Sequence, residues 1–317
     1  KGIAKLGLSK DIPVSQFPAK LVLELRSLTR KYYDLTDERS AHINKLKGDL
    51  HTVFPQYLDV FCDVTGKTST MILRQYGTPD KILRGHKKTM IEKISKASRK
   101  GLAKASERYE KLCAAANAAK TFGCQIDSIY FNIFLTLDLV EKLDSALDSI
   151  LNRIRQLITF NKNEKFIQQI KLLNTIPGVG FLTAVTIMCE IGDFSAFRNP
   201  KQLFAYFGLD PEVNESGKFV GTQLHMSKRG SRIACRAIFA VALASIRTKR
   251  NGEGINPYLR KYYELKSGQK PKMVAIGAVM HKVCNIVFAV LRDEKAFELR
   301  SPEEHCKQYQ RPALAAA

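Results

Sequence analysis

The chain is poor in the patterns that build metal centres and covalent staples. Its seven cysteines, at positions 62, 113, 124, 189, 235, 284 and 306, are odd in number and contain no C-x-x-C pair, which supports neither a disulfide framework nor a zinc cluster of the usual ligand spacing. The six histidines stand isolated, so each reads as a surface or satisfied core group rather than a ligand. No uninterrupted apolar run approaches the roughly eighteen residues of a membrane span, and no secretory leader opens the chain. The expectation is a soluble protein of a reducing cytoplasm with no membrane partner. Strand signals are also few, which sets the expected fold class as mainly α. Acidic residues are scarce beside basic ones, 30 against 51 for a net charge of +21. That imbalance calls for a polyanionic partner, nucleic acid ahead of an anionic membrane.

What is present is 317 residues, 45% of them hydrophobic, enough for two domains with cores of their own. The chain opens Lys1-Gly2-Ile3-Ala4 without a Met, and the expectation is a fragment whose upstream domain is absent. Leu21, Leu25, Leu28, Tyr32 and Leu35 then recur at alternating spacings of four and three, with Arg39, His42 and Leu46 continuing the register. This predicts a long amphipathic helix ending before Pro55. A second run, Ile126, Tyr130, Ile133, Leu137, Val140, Asp144, Leu147, Leu151, Ile154 and Ile158, keeps the same alternation with one polar break at Asp144. Such spacing is that of a coiled coil, and an in-register polar residue can fix register or partner number. Pairing within the chain and pairing between subunits are both open on this evidence.

Between the two runs lies an inserted helical lobe, about 55–123. Gly66-Lys67-Thr68 resembles the tail of a phosphate-binding loop, but Phe61 stands where that motif needs a glycine, so it reads as a helix start. Thr78-Pro79-Asp80 is a cap and first turn. From Lys81 to Lys111 eleven basic residues face only Glu92, Glu107 and Glu110, an excess that favours phosphate contact over a merely solvated face.

The remainder, 164–300, reads as a second helical domain followed by a polar tail, 301–317. Thr175-Ile176-Pro177-Gly178-Val179-Gly180 has the pattern of a helix-hairpin-helix turn, in which Gly178 and Gly180 permit a tight bend and the next helix, through Ile191, offers free N–H groups to a phosphate. Arg198-Asn199-Pro200 starts a helix. Residues 210–226 read as loop or short extended segments carrying Glu215-Ser216-Gly217-Lys218. Ser227 or Ser231 then caps a helix to about Lys249, with Arg229, Arg232 and Arg236 in a basic stripe. Closing helices are expected at about Pro257–Leu265 and Pro271–Leu291. A serine hydroxyl attacks a phosphodiester only when a base or metal activates it and cations surround the phosphate. Lys218, Lys228 and Arg229 are suitable cations and His225 is one candidate base, yet by spacing alone Ser216 is an ordinary turn residue.

The Thr175–Gly180 turn, the Arg198-Asn-Pro-Lys-Gln-Leu-Phe-Ala-Tyr-Phe-Gly-Leu stretch, Ser216-Gly-Lys and Met226-Ser-Lys-Arg-Gly-Ser-Arg closely resemble the C-terminal transposase domain of the insertion-sequence 110 family. The region from about Ile3 to Phe160, with Tyr76-Gly-Thr-Pro-Asp, is similar to that family's coiled-coil linker, giving expected domains of 1–163 and 164–300. The resemblance implies that Ser216 is the nucleophile of DNA recombination, guided by a structured non-coding RNA, in a dimer or tetramer joined through the coiled coil. It also implies an N-terminal RNase H-like domain whose acidic tetrad binds magnesium. None of those acidic residues can be assigned in these 317 residues, so no metal or other cofactor site is expected here and magnesium would come through the missing domain. The alternative expectation is a non-catalytic helix-hairpin-helix module or an inactive truncated remnant that binds nucleic acid.

Overall fold

A computed structural model describes residues 19–122, 126–162, 164–212, 215–216, 219–220, 226–301 and 303–304. It is mainly helical, as the scarcity of strand signals requires; the strands among the described residues are two-residue segments. The described residues form two compact units, one within 31–152 and a second made of those up to Arg30 with those from Arg153 onward.

In the 31–152 unit, α1 (Lys20–Val53) runs to Pro55, whose ring disfavours helix in the residue before it. Short helices α2 (Tyr57–Val60), α3 (Lys67–Gln75) and α4 (Pro79–Arg84) lead to the α5 (Lys87–Ser98) and α6 (Gly101–Phe122) hairpin and on to α7 (Asp127–Phe160). Gly66 is the N-cap of α3, so the Gly-Lys-Thr stretch is a helix start. Thr78 accepts from the Lys81 amide and Pro79 fills the first helical position of α4, where a missing N–H costs nothing.

One core gathers Leu46, Leu50, Val53 and Phe54 of the α1 end, Ile72 and Leu73 of α3, Met90 and Ile94 of α5, Leu112 and Ala116 of α6, and Tyr130, Ile133 and Leu137 of α7. Each large apolar side chain withdrawn from water there contributes about 1.5–3 kcal/mol. At its centre the fully buried Tyr57 hydroxyl is held 2.9 Å from both the Ser69 carbonyl and the Ser69 hydroxyl. The lobe read as 55–123 therefore shares its core with the flanking long helices. One ion pair joins the two long helices within the chain: the Arg39 guanidinium of α1 grips both carboxylate oxygens of Asp144 on α7.

The second unit holds α8 (Lys165–Leu173), α9 (Phe181–Ile191), α10 (Pro200–Tyr206), a two-residue β pair, α11 (Arg232–Ser245), α12 (Pro257–Ser267) and α13 (Lys272–Asp293). The cut between units differs from the sequence boundary at 163–164. Arg26 Nε donates to the Cys189 carbonyl at 2.7 Å, and Arg30 meets Glu190, tying the start of α1 to α9. Asn199, Ser231 and Asn256 cap α10, α11 and α12 through their side-chain oxygens; of the two serines considered for α11 it is Ser231. Helix α13 is the central strut, packed by α8, α10, α11 and α12. Among the described residues it is the one helix long and apolar enough to cross a membrane, with 56% of its apolar window buried in the protein. Counting uninterrupted apolar runs passes over it because His281 and Lys282 interrupt the segment.

Candidate nucleic-acid interface

The serine loop is built from a clamped stem. After α10 the chain turns through Gly208 at φ +67°, and the returning segment lies against it so closely that a Cβ on Gly208 would sit 2.4 Å from the Gly230 nitrogen. A Cβ on Gly230 would sit 2.3 Å from the Phe207 carbonyl carbon and the Tyr206 oxygen. Only two glycines let the strands touch backbone to backbone. Hydrogen bonds close the stem: Ser227 N to Asp210 O at 2.8 Å, Lys228 N to Gly208 O at 3.1 Å, and the Ser227 hydroxyl to Asp210 Oδ1 at 2.6 Å, with a bridge between Pro211 and Met226. Beyond it Glu215 pairs with Val220 and Ser216 with Phe219 in antiparallel register. Ser216 thus stands immediately before the two residues that link the paired strands. Gly217, Lys218 and His225 lie outside the described residues, as does the Ser216 side chain.

The basic side chains sit where the stem feeds α11. Lys228, Arg229 and Arg232 are exposed and Arg236 is half-buried one turn further along. Lys228 adopts φ +52°, a left-handed conformation that costs a non-glycine residue about 1 kcal/mol and that the stem hydrogen bonds maintain.

Beneath this end lies a polar anchor that periodicity does not reveal. Glu190 is 3% exposed, and Arg30 reaches it with two bonds of 2.9 and 2.8 Å. Burial pushes its carboxyl up, but bonds from the Arg30 guanidinium and the Ser231 hydroxyl, with the nearby Arg26 charge, outweigh that and hold it below the usual carboxylate range. The Tyr206 hydroxyl donates to the Glu190 carbonyl at 3.0 Å. Glu190 therefore ties α1, α10 and the Ser231 cap of α11 together, fixing the origin of the basic stem. Its only sequence signal is an acid at the end of an otherwise apolar helix.

The Gly178–Gly180 turn belongs to the other end of the same helix pair. Gly178, at φ +96°, packs on the last residue of α11: a Cβ would meet Ser245 Oγ at 2.6 Å and Ser245 N at 2.9 Å, and the Ser245 hydroxyl donates to the Pro177 carbonyl at 3.0 Å. Gly180 is exposed and has open space where a Cβ would go. It caps α9 with no side-chain bond, leaving first-turn amides for an outside acceptor. Helices α9 and α11 pack together, with Gly178 against Ser245 at one end and Glu190 against Ser231 at the other. Fourteen helical residues separate the glycine turn from the basic stem by about 20 Å, so the sequence candidates form two separate groups rather than one cluster.

In the 31–152 unit, the basic excess converges where α5 passes into α6. Arg99 (φ +54°) and Gly101 (φ +78°) make the turn, and Lys100, Lys104, Arg108 and Lys111 line a cavity of about 170 Å³ with Asp59 and Glu107. Lys111 is paired with Glu107 at 2.8 Å, and Arg108 lies 5.6 Å from the Phe61 ring centre. The size and charge suit a phosphate group. Among the described residues no group of three or more His, Cys, Asp or Glu converges to hold a metal.

Residues 170–264 match the profile of the Transposase IS116/IS110/IS902 family. That match supports the transposase family. The matched segment contains the glycine turn, the clamped stem, the basic start of α11 and all but the end of α12. Over a longer stretch the chain is similar to an insertion element IS110 protein of Streptomyces coelicolor, 23% identical over 286 residues, which is 89% of this chain and 66% of the relative. It is 24% identical over 296 residues to an insertion element IS116 protein of Streptomyces clavuligerus, covering 93% of this chain and 70% of that protein. A pilin gene-inverting protein of Moraxella bovis is 29% identical over 177 residues, 56% of this chain and 52% of its own. The chain thus spans between 52% and 70% of the length of these insertion-element and gene-inverting relatives.

Proposed function

We propose that this chain is the nucleic-acid-binding and strand-transfer portion of an insertion-sequence transposase acting as a DNA recombinase. The observation that carries the reading is the clamped stem, in which Gly208 and Gly230 lock backbone on backbone, Ser216 precedes the hairpin link, and exposed Lys228, Arg229 and Arg232 stand at the stem's foot. A site that positions a hydroxyl against a phosphodiester needs such rigidity beneath it and cations beside it. Ser216 Oγ attacks the scissile phosphorus. An Oγ–P bond forms as the Ser216 hydroxyl gives its proton to a base, for which His225 is the candidate, the bond from phosphorus to the leaving deoxyribose oxygen breaks, and that oxygen takes the proton up in turn. Lys218 and Arg229 balance the phosphate charge, while the amides at Gly180 grip the backbone without reading bases.

In the same reading a structured RNA contacts the basic lobe, the long helices α1 and α7 carry a homo-oligomer, and magnesium enters through an acidic domain outside these residues. The test is Ser216→Ala in a full-length protein carrying that domain. The covalent protein–DNA adduct should vanish while binding persists, and an undiminished adduct refutes the nucleophile. A second reading is a binding module that performs no strand exchange. It is favoured if joining the acidic domain yields salt-sensitive binding but no recombination.

A further inference from the structure

A groove of about 420 Å³ lies between the start of α12, one face of α13 and the segment 295–301. Nothing in the proposed strand-transfer chemistry uses it. Its walls are apolar at Leu259, Ala289 and Phe297, and two side-chain amides interrupt them. Asn256 is 2% exposed. Its Oδ1 caps α12 by accepting from Leu259 N at 3.1 Å, while its Nδ2 has no hydrogen-bond partner among the described residues. The Asn285 amide, on the facing helix, is likewise unpartnered among them.

At the rim the acids are already matched. Asp293 binds Arg292 and Glu298 binds Arg300, whereas Lys282 and Lys295 have no acid within ion-pair distance among the described residues. Lys282 instead lies 5.5 Å from the Tyr262 ring centre, and Tyr258, 38% exposed, also lines the groove.

We propose that this groove receives one unstacked nucleobase of a single-stranded segment of the bound nucleic acid, with its phosphate against Lys282 and Lys295. An apolar peptide side chain would leave both amides buried and unpaired, at about 1–3 kcal/mol each. A base edge presents the donors and acceptors that satisfy them, and Tyr258 supplies the stacking face typical of single-strand sites. The volume is at the lower end of small-ligand pockets, enough for one nucleotide and too small for a base pair with its backbones. The inference rests on the nucleic-acid reading above and adds to it a site for melted rather than paired DNA or RNA.

The test uses the full chain and fluorescence anisotropy with a labelled oligodeoxyadenylate strand and with a duplex of equal length. Asn285→Leu removes a donor and Ala289→Phe fills the groove; neither touches the cap that Asn256 provides. Each should weaken strand binding about tenfold, equivalent to about 1.4 kcal/mol, and leave duplex affinity within about twofold. Free deoxyadenosine monophosphate should displace the strand from the unaltered chain but not the duplex. Strand affinity untouched by both variants, equal loss on strand and duplex, or no displacement by the mononucleotide overturns the groove assignment alone. Failure of the unaltered chain to bind either probe overturns the nucleic-acid reading with it.

Discussion

Arg39 and Asp144 each interrupt an apolar register, one on each long helix, and they interrupt it at the place where the helices meet. The guanidinium lies across the carboxylate with both contacts made, Nη2 to Oδ2 at 3.2 Å. The two polar breaks are a matched pair that penalises any slip of α1 along α7, because a shifted register would set each charge against aliphatic neighbours. A double-mutant cycle with Arg39→Leu and Asp144→Leu should return a coupling of roughly 0.5–1 kcal/mol in urea unfolding, since both side chains keep partial contact with water. Additive effects would show that packing alone sets the register.

Gly178 and Gly180 should respond differently to alanine. At Gly178 the positive φ and the contact with Ser245 make Gly178→Ala destabilising by about 2 kcal/mol or more, visible as a lower Tm. Gly180→Ala meets open space and should change stability by no more than about 0.5 kcal/mol, leaving Tm nearly where it was. Loss of DNA affinity in the Gly180 variant, at constant Tm, is the signature of a backbone grip.

Gly230→Ala should open the stem. The new methyl group would overlap the Phe207 and Tyr206 backbone, forcing the returning segment away and releasing the Ser227 and Lys228 hydrogen bonds. In the proposed full-length recombinase, adduct formation should fall at least about a hundredfold, since angstrom-scale misplacement of reacting groups costs that much. Salt-dependent DNA binding should change little, because the cations remain. Equal loss of both would mean that the stem shapes the binding surface rather than the reacting geometry.

Glu190 should give the second unit an acid limb. Its folded-state pKa is held below the ordinary carboxylate value, so the folded state binds fewer protons than the unfolded chain in that window. The stabilisation is fully present above the unfolded pKa of about 4.3 and is lost as pH falls through the lower folded value. Glu190→Gln should be less stable at pH 7 by about 1–3 kcal/mol. It should also lose less further stability than the unaltered chain between pH 5 and 3, as followed by urea titrations across that range.

The long helices were legible because burial every three or four residues leaves its mark directly in the sequence: Leu25, Leu35 and Leu46 on α1, and Tyr130, Ile133, Leu137 and Val140 on α7, are all buried. Caps were legible for a similar reason, since Asn199-Pro200 and Thr78-Pro79 combine a side-chain acceptor with a preset φ. The stem was not, because Gly208 and Gly230 are far apart in sequence and a glycine carries no sign of which backbone it will meet. Glu190 was not, because its partner Arg30 lies 160 residues away. The placement of Gly178 and the basic stripe at opposite ends of α11 likewise depends on the antiparallel packing of α9 and α11, a tertiary fact absent from local spacing.

If both ends contact nucleic acid as proposed, that helix pair works as a ruler. With one contact point at each end, about 20 Å apart, a strand engaged by both would be measured off at about six nucleotides, given the 3.4 Å advance per residue of each DNA strand. Lengthening or shortening α11 by a turn would then change where along a strand the serine comes to rest without altering any residue that touches it.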